Sequence, residues 1–207
     1  MAEKQLGFYL NLSACSGCKA CQLACKDKND TPVGVLWRRV YEVSGGGYLQ
    51  RGEAIIDNTF MYFVSSACSH CDEPICMFVC PAAAISKRDS DGIVLIDQEK
   101  CIGCRYCEWA CPYGAPQFNA ETHKMSKCDF CYDYIEAGQK PACVSACQMR
   151  VLDFGPIEEL RARYGEQPDF FPFPDSSITH PNTTFTPHKD VVLANGADVF
   201  IGNPEEV

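Results

Sequence analysis

The 16 cysteines of this 207-residue chain constrain its fold more than any other feature. They fall into four groups of four, and no Cys is left over. The most regular group, Cys101 to Cys111, has the spacing C-x₂-C-x₂-C-x₃-C and is followed by Pro112. With this spacing, three neighbouring thiolates hold one iron–sulfur cluster and the fourth reaches a second cluster. We predict that the fourth Cys stands at the start of a helix that leaves the loop.

The other three groups vary this spacing. The first lacks the Pro, the second has two more residues before its third Cys, and the fourth is split by 11 residues. Thiolates select zinc, copper(I) or iron–sulfur clusters, and structural zinc prefers two Cys pairs separated by a finger. The first three groups therefore favour [4Fe–4S] clusters, whereas the fourth group alone would also fit zinc. The regular spacing disfavours a disulfide framework.

The order of the groups predicts an α+β fold of nested, bacterial 2[4Fe–4S] ferredoxin-like units. A predicted hairpin that turns at Asp91-Gly92 joins groups two and three, so group four must pair with group one around them. The inner unit covers residues 68–117, and the outer unit covers 1–67 and 118–155, with a hairpin insertion at 26–67. Strands are predicted at 7–12, 37–43, 59–64 and 151–154, with a turn at Gly45-Gly46-Gly47.

In a unit of this type, the ligands cross between the paired groups. Three Cys of one group and the fourth Cys of its partner group then hold each cluster, and every Cys is used once. The predicted ligand sets are Cys15, Cys18, Cys21 and Cys147 (set 1, cluster 1); Cys128, Cys131, Cys143 and Cys25 (set 2, cluster 2); Cys68, Cys71, Cys76 and Cys111 (set 3, cluster 3); and Cys101, Cys104, Cys107 and Cys80 (set 4, cluster 4).

Some other side chains lie close to these ligands in sequence. His70 is predicted to be a neighbour of a cluster and not a ligand, because four thiolates already complete its set. A cation beside a ligand would raise the potential of a cluster, although solvated side chains are an equal interpretation. These cations are Lys19, Lys26, Arg105, Lys124 and Lys127. The pair Arg38-Arg39 is a twin arginine, as in export signals, but it is internal and no apolar leader follows it. We therefore interpret the pair as a chance occurrence.

Composition and motifs exclude several functions. The formal net charge of −9 argues against a nucleic-acid partner. The longest apolar stretch, residues 74–85, is too short to span a membrane. No hydrolase, zinc-protease or nucleotide-binding motif occurs, and no spare Cys could act as a nucleophile. The chain is therefore expected to have no catalytic residues and to pass single electrons between redox centres held elsewhere.

Residues 156–207 differ from the rest because they contain no Cys and seven of the 13 Pro. A helix is predicted from Ile157 to Tyr164, after Pro156 and before Gly165. Beyond it, the Phe content is too high for typical disorder. We predict an extended arm that contacts a partner subunit, with a disordered tail as the alternative. The Phe residues concerned are Phe170, Phe171, Phe173, Phe185 and Phe200.

The chain resembles the electron-transfer subunits of molybdopterin oxidoreductases, and among them most the iron–sulfur subunits of anaerobic dimethyl sulfoxide reductases. The resemblance covers nearly the whole chain and is weaker at 44–58 and 166–200. It rests on the cysteine groups and on four segments: Gly7-Phe8-Tyr9, residues 101–117, residues 152–157 and residues 203–207.

The resemblance implies a subunit between a molybdopterin catalytic subunit and a membrane anchor that oxidises quinol. It implies that cluster 1 faces the catalytic subunit, that clusters 2 and 3 follow, and that cluster 4 faces the anchor. Related nitrate reductase subunits have a Trp where this chain has Cys104 and therefore a three-iron cluster. Four [4Fe–4S] clusters are expected here.

The expected function is electron transfer to a reductase of dimethyl sulfoxide or related S- or N-oxides in anaerobic respiration. Alternatives are the same role in a thiosulfate or polysulfide reductase, a formate dehydrogenase or a hydrogenase-linked complex. A zinc-organised interaction module is an alternative of another class. The resemblance implies export, by a signal on the catalytic partner, to the periplasmic face of the inner membrane, and the lack of a recognisable leader in this chain agrees with it. The cytoplasmic face is the alternative.

Overall fold

A computed structural model describes residues 4–167, 169–194 and 199–207 of the chain. Its strands are β1 Leu6–Asn11, β2 Arg39–Gly45, β3 Tyr48–Arg51, β4 Ala54–Asp57, β5 Phe60–Ser66, β6 Ile85–Lys87, β7 Val94–Ile96, β8 Gln117–Asn119, β9 Lys124–Ser126, β10 Leu152–Pro156, β11 Thr183–Thr186 and β12 Val199–Ile201. Its helices are α1 Ala20–Lys28, α2 Ile75–Phe78, α3 Tyr106–Ala110, α4 Tyr132–Glu136, α5 Ala142–Ser145, α6 Ile157–Tyr164 and α7 Val191–Ala194. Within these ranges, no helix combines the length and apolar character needed to cross a membrane.

Strand β1 is the centre of the first sheet, where it pairs antiparallel with β10 and parallel with β11. Because a strand lies on each side of it and side chains cover both faces, its residues from Leu6 to Leu10 are buried. The strands predicted at 7–12 and 151–154 are present, shifted by one or two residues. Their pairing brings the segment before group one next to the segment after group four.

A second sheet has the order β12-β2-β5, and β2 pairs antiparallel with β5. These two strands correspond to the predicted stretches at 37–43 and 59–64. The simple turn predicted between them at Gly45-Gly46-Gly47 is wrong, because a further hairpin of β3 and β4 lies there. All side chains of β3 and β4 are exposed. With no buried face, this hairpin has no strong alternation of apolar and polar residues for a sequence pattern to detect.

Two short hairpins flank the third cysteine group. Strands β6 and β7 form the predicted hairpin, and Gly92 in its turn has a left-handed φ of 70°. The hairpin of β8 and β9, between groups three and four, was not predicted. Both hairpins pack against cysteines, since Ile85 of β6 and Met125 of β9 share an apolar cluster with Cys76 and Cys107.

The segment after α6 does not have the extended form that was predicted for it. Helix α6 has the predicted bounds, but the chain then returns to its own core through β11 on β1 and β12 on β2. Phe170 and Phe185 are buried and pack edge to face, with ring centroids 4.7 Å apart. Phe200 remains exposed. The strand β11 completes the free edge of β1, which the sequence pattern did not reveal.

We predict that Phe185→Ala destabilises the fold by about 3–5 kcal/mol, because it removes a buried ring from a packed aromatic cluster. Phe200→Ala is the matched control, since that side chain is 60% exposed. Urea unfolding of the anaerobically purified chain, followed by far-UV circular dichroism, measures both effects. Equal transition midpoints for Phe185→Ala and the parent would contradict the burial of this segment.

Candidate iron–sulfur sites

The loops around the cysteines contain residues with left-handed backbone. Gly17 and Gly103 occupy the same place in the first and third groups and have φ of 66° and 69°. Lys19 and Arg105, directly before helices α1 and α3, have φ of 59° and 67°. Alternation of left- and right-handed residues turns successive backbone N–H groups toward one side, which creates a concavity for an anion. This geometry suits an anionic, thiolate-held group.

The helices begin earlier in each group than predicted. The third Cys, Cys21 or Cys107, lies in the first turn of α1 or α3, while Cys25 lies inside α1 and Cys111 follows α3. The prediction that a helix starts at the fourth Cys is therefore wrong. The left-handed residue closes the loop before the third Cys, so the right-handed helix can begin there.

Three of the four predicted sets each line a common cavity, and no Cys forms a disulfide. Set 1 shares its cavity with Gly17, Val40 and Met149. Set 3 shares its cavity with His70 and Lys127. The members are Cys15, Cys18, Cys21 and Cys147; Cys68, Cys71, Cys76 and Cys111; and Cys80, Cys101, Cys104 and Cys107 for set 4.

All four cysteines of set 2 are buried. The pKa of Cys25 is raised to about 12, mainly by burial and in smaller part by the nearby thiolate charges of Cys143 and Cys131. Burial, with Cys25 beside it, also raises the pKa of Cys128. Helix α1, which contains Cys25, packs against α5, which contains Cys143. Cys25 therefore lies beside group four, although 103 residues or more separate it from those cysteines along the chain. The structure thus brings together the members of every predicted set.

Several donors point at the sulfur atoms. The Met125 N–H lies 3.4 Å from Cys101 Sγ, the Phe130 N–H lies 3.4 Å from Cys128 Sγ, and the Ala84 N–H lies 3.3 Å from Cys80 Sγ. The Ser65 hydroxyl lies 3.2 Å from Cys21 Sγ. Such hydrogen bonds stabilise thiolates and tune the potentials of the clusters they hold. Within the described ranges, no three or more His, Cys, Asp or Glu side chains are arranged for a single metal ion.

His70 is fully buried in the wall of the set 3 cavity. Its Nδ1 accepts a hydrogen bond of 3.0 Å from the Val94 N–H, and its ring meets the Phe130 ring edge to face. Burial, together with the charges of Lys127 and Lys87, holds the pKa of His70 well below its usual range. A neutral imidazole held in this way is a neighbour of set 3, and its role toward a cluster stays a prediction.

The five cations named from the sequence have different surroundings. Lys19 and Arg105 make ion pairs near the surface with Glu42 and Glu108, at 3.2 and 2.7 Å. Lys26 donates to backbone carbonyls, and Lys124 donates to the Gln98 carbonyl. Lys127 is different, since it is buried against sets 2 and 3.

The sequence analysis did not identify Arg38 as a site residue, because it interpreted the Arg38-Arg39 pair as a chance occurrence. The side chain of Arg38 is 2% exposed, and its guanidinium donates to the Ser65 carbonyl and hydroxyl at 3.3 and 3.0 Å. Burial alone would lower the pKa of Arg38, but the thiolate forms of Cys143 and Cys21 outweigh it and raise that pKa. The available signal was an Arg pair at the start of a predicted strand in a chain rich in thiolates.

Comparisons with known proteins agree with these sites. A family model described as a 4Fe-4S dicluster domain matches residues 59–157. The B subunit of anaerobic dimethyl sulfoxide reductase from Haemophilus influenzae is 47% identical over 99% of this chain and 100% of its own length. The subunit of the same name from Escherichia coli strain K12 is 45% identical over 98% of both chains. The thiosulfate reductase electron transfer subunit of Salmonella typhi is 44% identical over 70% of this chain and 72% of its own length.

The cysteine-lined sites and the matched model show that the chain contains a 4Fe-4S dicluster domain. The match to the Haemophilus influenzae relative covers nearly the whole of both chains and identifies the family among proteins with this domain. This chain belongs to the family of B subunits of anaerobic dimethyl sulfoxide reductase, the iron–sulfur electron-transfer subunits of these enzymes. The family resemblance and the electron-transfer role predicted from the sequence are thereby confirmed.

We predict that Gly103→Ala impairs the site of set 4. A Cβ there would collide with the His123 carbonyl oxygen, and the left-handed backbone adds about 1–2 kcal/mol of strain. Iron analysis and electron paramagnetic resonance (EPR) of the reduced protein should show loss of iron and of one cluster signal. Gly34→Ala is the control, because Gly34 is also left-handed but has no atom near the added Cβ. Full iron content in Gly103→Ala would show that this close approach is unimportant.

Proposed function

We propose that this chain holds four [4Fe–4S] clusters and relays electrons between two partners. The donor is a membrane anchor that oxidises quinol, and the acceptor is a molybdopterin catalytic subunit that reduces dimethyl sulfoxide or a related S- or N-oxide. The observation that carries this proposal is the convergence of all 16 cysteines into four separate sets. When bound, the clusters supply one-electron oxidation and reduction.

The neighbours of individual cysteines support a linear order of clusters 1, 2, 3 and 4. Cys143 of set 2 lies close enough to Cys21 of set 1 to raise its pKa, after the larger effect of burial. Cys68 of set 3 has the same relation to Cys128 of set 2. Sets 3 and 4 meet in one apolar cluster that contains Cys76 and Cys107. Electrons can therefore move by short steps from set to set.

Exposed apolar side chains lie at both ends of this path. Met149 lines the cavity of set 1 and is 50% exposed, and Ile102 lines that of set 4 and is 67% exposed. Trp109 and Phe78, at the helices of sets 4 and 3, are 71% exposed. The exposed rings of Tyr106 and Trp109 lie 5.7 Å apart beside set 4, and contiguous exposed apolar surface is typical of protein contacts. This pair supports contact with the anchor at set 4, whereas contact with the catalytic subunit at set 1 is proposed from the family resemblance.

The substrate and the location follow from the family. The relatives named for dimethyl sulfoxide reduction match nearly the whole chain, whereas the thiosulfate relative matches 70% of it. We therefore favour an S- or N-oxide over thiosulfate. The proposed location is the periplasmic face of the inner membrane, as part of the complex.

We predict that anaerobically purified protein contains about 16 Fe per chain, since each of four clusters has four irons. In the crossed ligation proposed here, Cys147→Ser and Cys18→Ser remove the same EPR signal, that of cluster 1. Cys25→Ser and Cys128→Ser remove a different one, that of cluster 2. The ligand sets predict these pairs because each pair shares one cavity or one buried cluster of thiols.

Two results would contradict this assignment. If group four alone held one metal centre, Cys147→Ser and Cys128→Ser would remove the same signal. If the protein were a zinc-organised module, the preparation would contain zinc in place of iron. Ser145→Ala, at the end of α5 between Cys143 and Cys147, is the control and should keep the parent spectrum.

We predict that the complex in membranes couples quinol oxidation to dimethyl sulfoxide reduction, and that Cys104→Ser abolishes this coupling. A soluble reductant that feeds the catalytic subunit directly should still support turnover, because only the cluster nearest the anchor is lost. Ser16→Ala is the control beside another ligand. Quinol-driven reduction of thiosulfate without reduction of dimethyl sulfoxide would assign the chain to the alternative complex.

A further inference from the structure

Among the described residues, three cations are buried without a carboxylate partner, namely Arg38, Arg39 and Lys127. Arg39 donates to the Tyr113 and Gly114 carbonyls, whereas Arg38 and Lys127 lie among the cysteine sets. Arg38 is 2% exposed and Lys127 is 4% exposed. Within the described residues, neither makes an ion pair with Asp or Glu, whereas Lys19, Lys28, Lys87, Arg88 and Arg105 all do. A buried charge without an opposite charge is strongly unfavourable. These two side chains therefore require another source of negative charge.

Arg38 lies between set 1 and set 2. Its guanidinium donates to the Ser65 hydroxyl at 3.0 Å, and that hydroxyl lies 3.2 Å from Cys21 Sγ of set 1. On set 2, Cys143, Cys128 and Cys25 are close enough for their thiolate charge to act on it. The ring of Phe8, 4.9 Å away, covers the guanidinium on one side. The charge is held in place by these contacts.

Lys127 lies between set 2 and set 3. Its ammonium donates to the Cys128 carbonyl at 3.0 Å and to the Val94 carbonyl. Cys68 and Cys76 of set 3 and Cys128 of set 2 lie close enough to act on its charge. Lys127 also lines the cavity of set 3. The two cations thus lie one after the other along the order of the sets, and set 2 has one on each side.

We propose that Arg38 and Lys127 are potential-setting residues, which raise the reduction potentials of the clusters on either side of them. An electron that arrives at a cluster adds negative charge, and a cation nearby stabilises it. The stabilisation is large in a buried, weakly polarisable interior and small where water and salt screen the charge. Arg38 is assigned to clusters 1 and 2, and Lys127 to clusters 2 and 3. This inference rests on the proposed cluster ligation.

The test is an EPR-monitored redox titration of the purified complex. In Arg38→Gln, the equilibrium constants for one-electron reduction of clusters 1 and 2 should fall roughly tenfold. This change corresponds to reduction potentials that are lower by about 59 mV. In Lys127→Gln, clusters 2 and 3 should shift by a similar amount. Cluster 4 should keep its potential in both variants. The Cys→Ser variants described above assign each signal to its cluster.

Arg105→Gln is the matched control, because Arg105 follows Cys104 directly but is exposed and paired with Glu108. It should shift cluster 4 much less than Arg38→Gln shifts cluster 1. Unchanged potentials in Arg38→Gln and Lys127→Gln, or equal shifts of all four clusters, would overturn the inference. Fewer than four clusters in the parent protein would instead refute the proposed ligation.

If Arg38→Gln or Lys127→Gln loses iron, two further variants show whether the charge or the shape of the side chain is responsible. Arg38→Lys and Lys127→Arg keep the charge and alter the shape of the side chain. If these two retain four clusters near the parent potentials while the Gln variants lose iron, the charge is what the sites need, and the inference stands. If they also lose iron, the side chains act only through packing, and the inference fails.

Discussion

The approach of Cys147 to the loop of Cys15, Cys18 and Cys21 is the contact on which the rest of the arrangement depends. It closes a long segment of chain, and the entropic cost of closing such a loop grows only slowly with its length. The pairing of β1 with β10 holds the two ends of that segment together, because Cys15 follows β1 closely and Cys147 precedes β10 closely. Groups two and three, which form their own sites, are thereby enclosed within the outer pair.

Electrostatics decides how the sites can work once they are assembled. Thiolate sets are costly to bury, and burial raises the pKa of Cys25, Cys71 and Cys76 to about 12. Backbone and hydroxyl donors offset part of that cost, and the buried cations Arg38 and Lys127 offset more of it. The same contacts that make the sites possible would also set the potentials of the clusters. A change in one of these contacts would therefore affect both the stability of a site and the potential of its cluster.

Local patterns allowed much of the fold to be predicted. The strands around β1 and β10, the hairpin at Asp91-Gly92 and helix α6 follow from short runs of residues and were predicted close to their observed bounds. The hairpin of β3 and β4 was missed because its side chains are all exposed. The segment after α6 is not the extended arm predicted, because Phe170 and Phe185 pack with residues far away in sequence, and its contact with a partner subunit stays a prediction. The composition indicated that these aromatic rings are buried, but not that they are buried within this chain.

The spacing of the Cys residues within each loop was enough to predict iron–sulfur clusters, because that spacing is local chemistry. The sequence also determined the family, through segments that extend along nearly the whole chain. The long-range packing of the chain sets which distant groups meet, which cations are buried and which aromatic rings enter the core. Arg38 illustrates the difference, since its place in an Arg pair at the start of a predicted strand does not show whether its side chain is buried or exposed. Its role follows from burial and from the thiols that the fold collects around it.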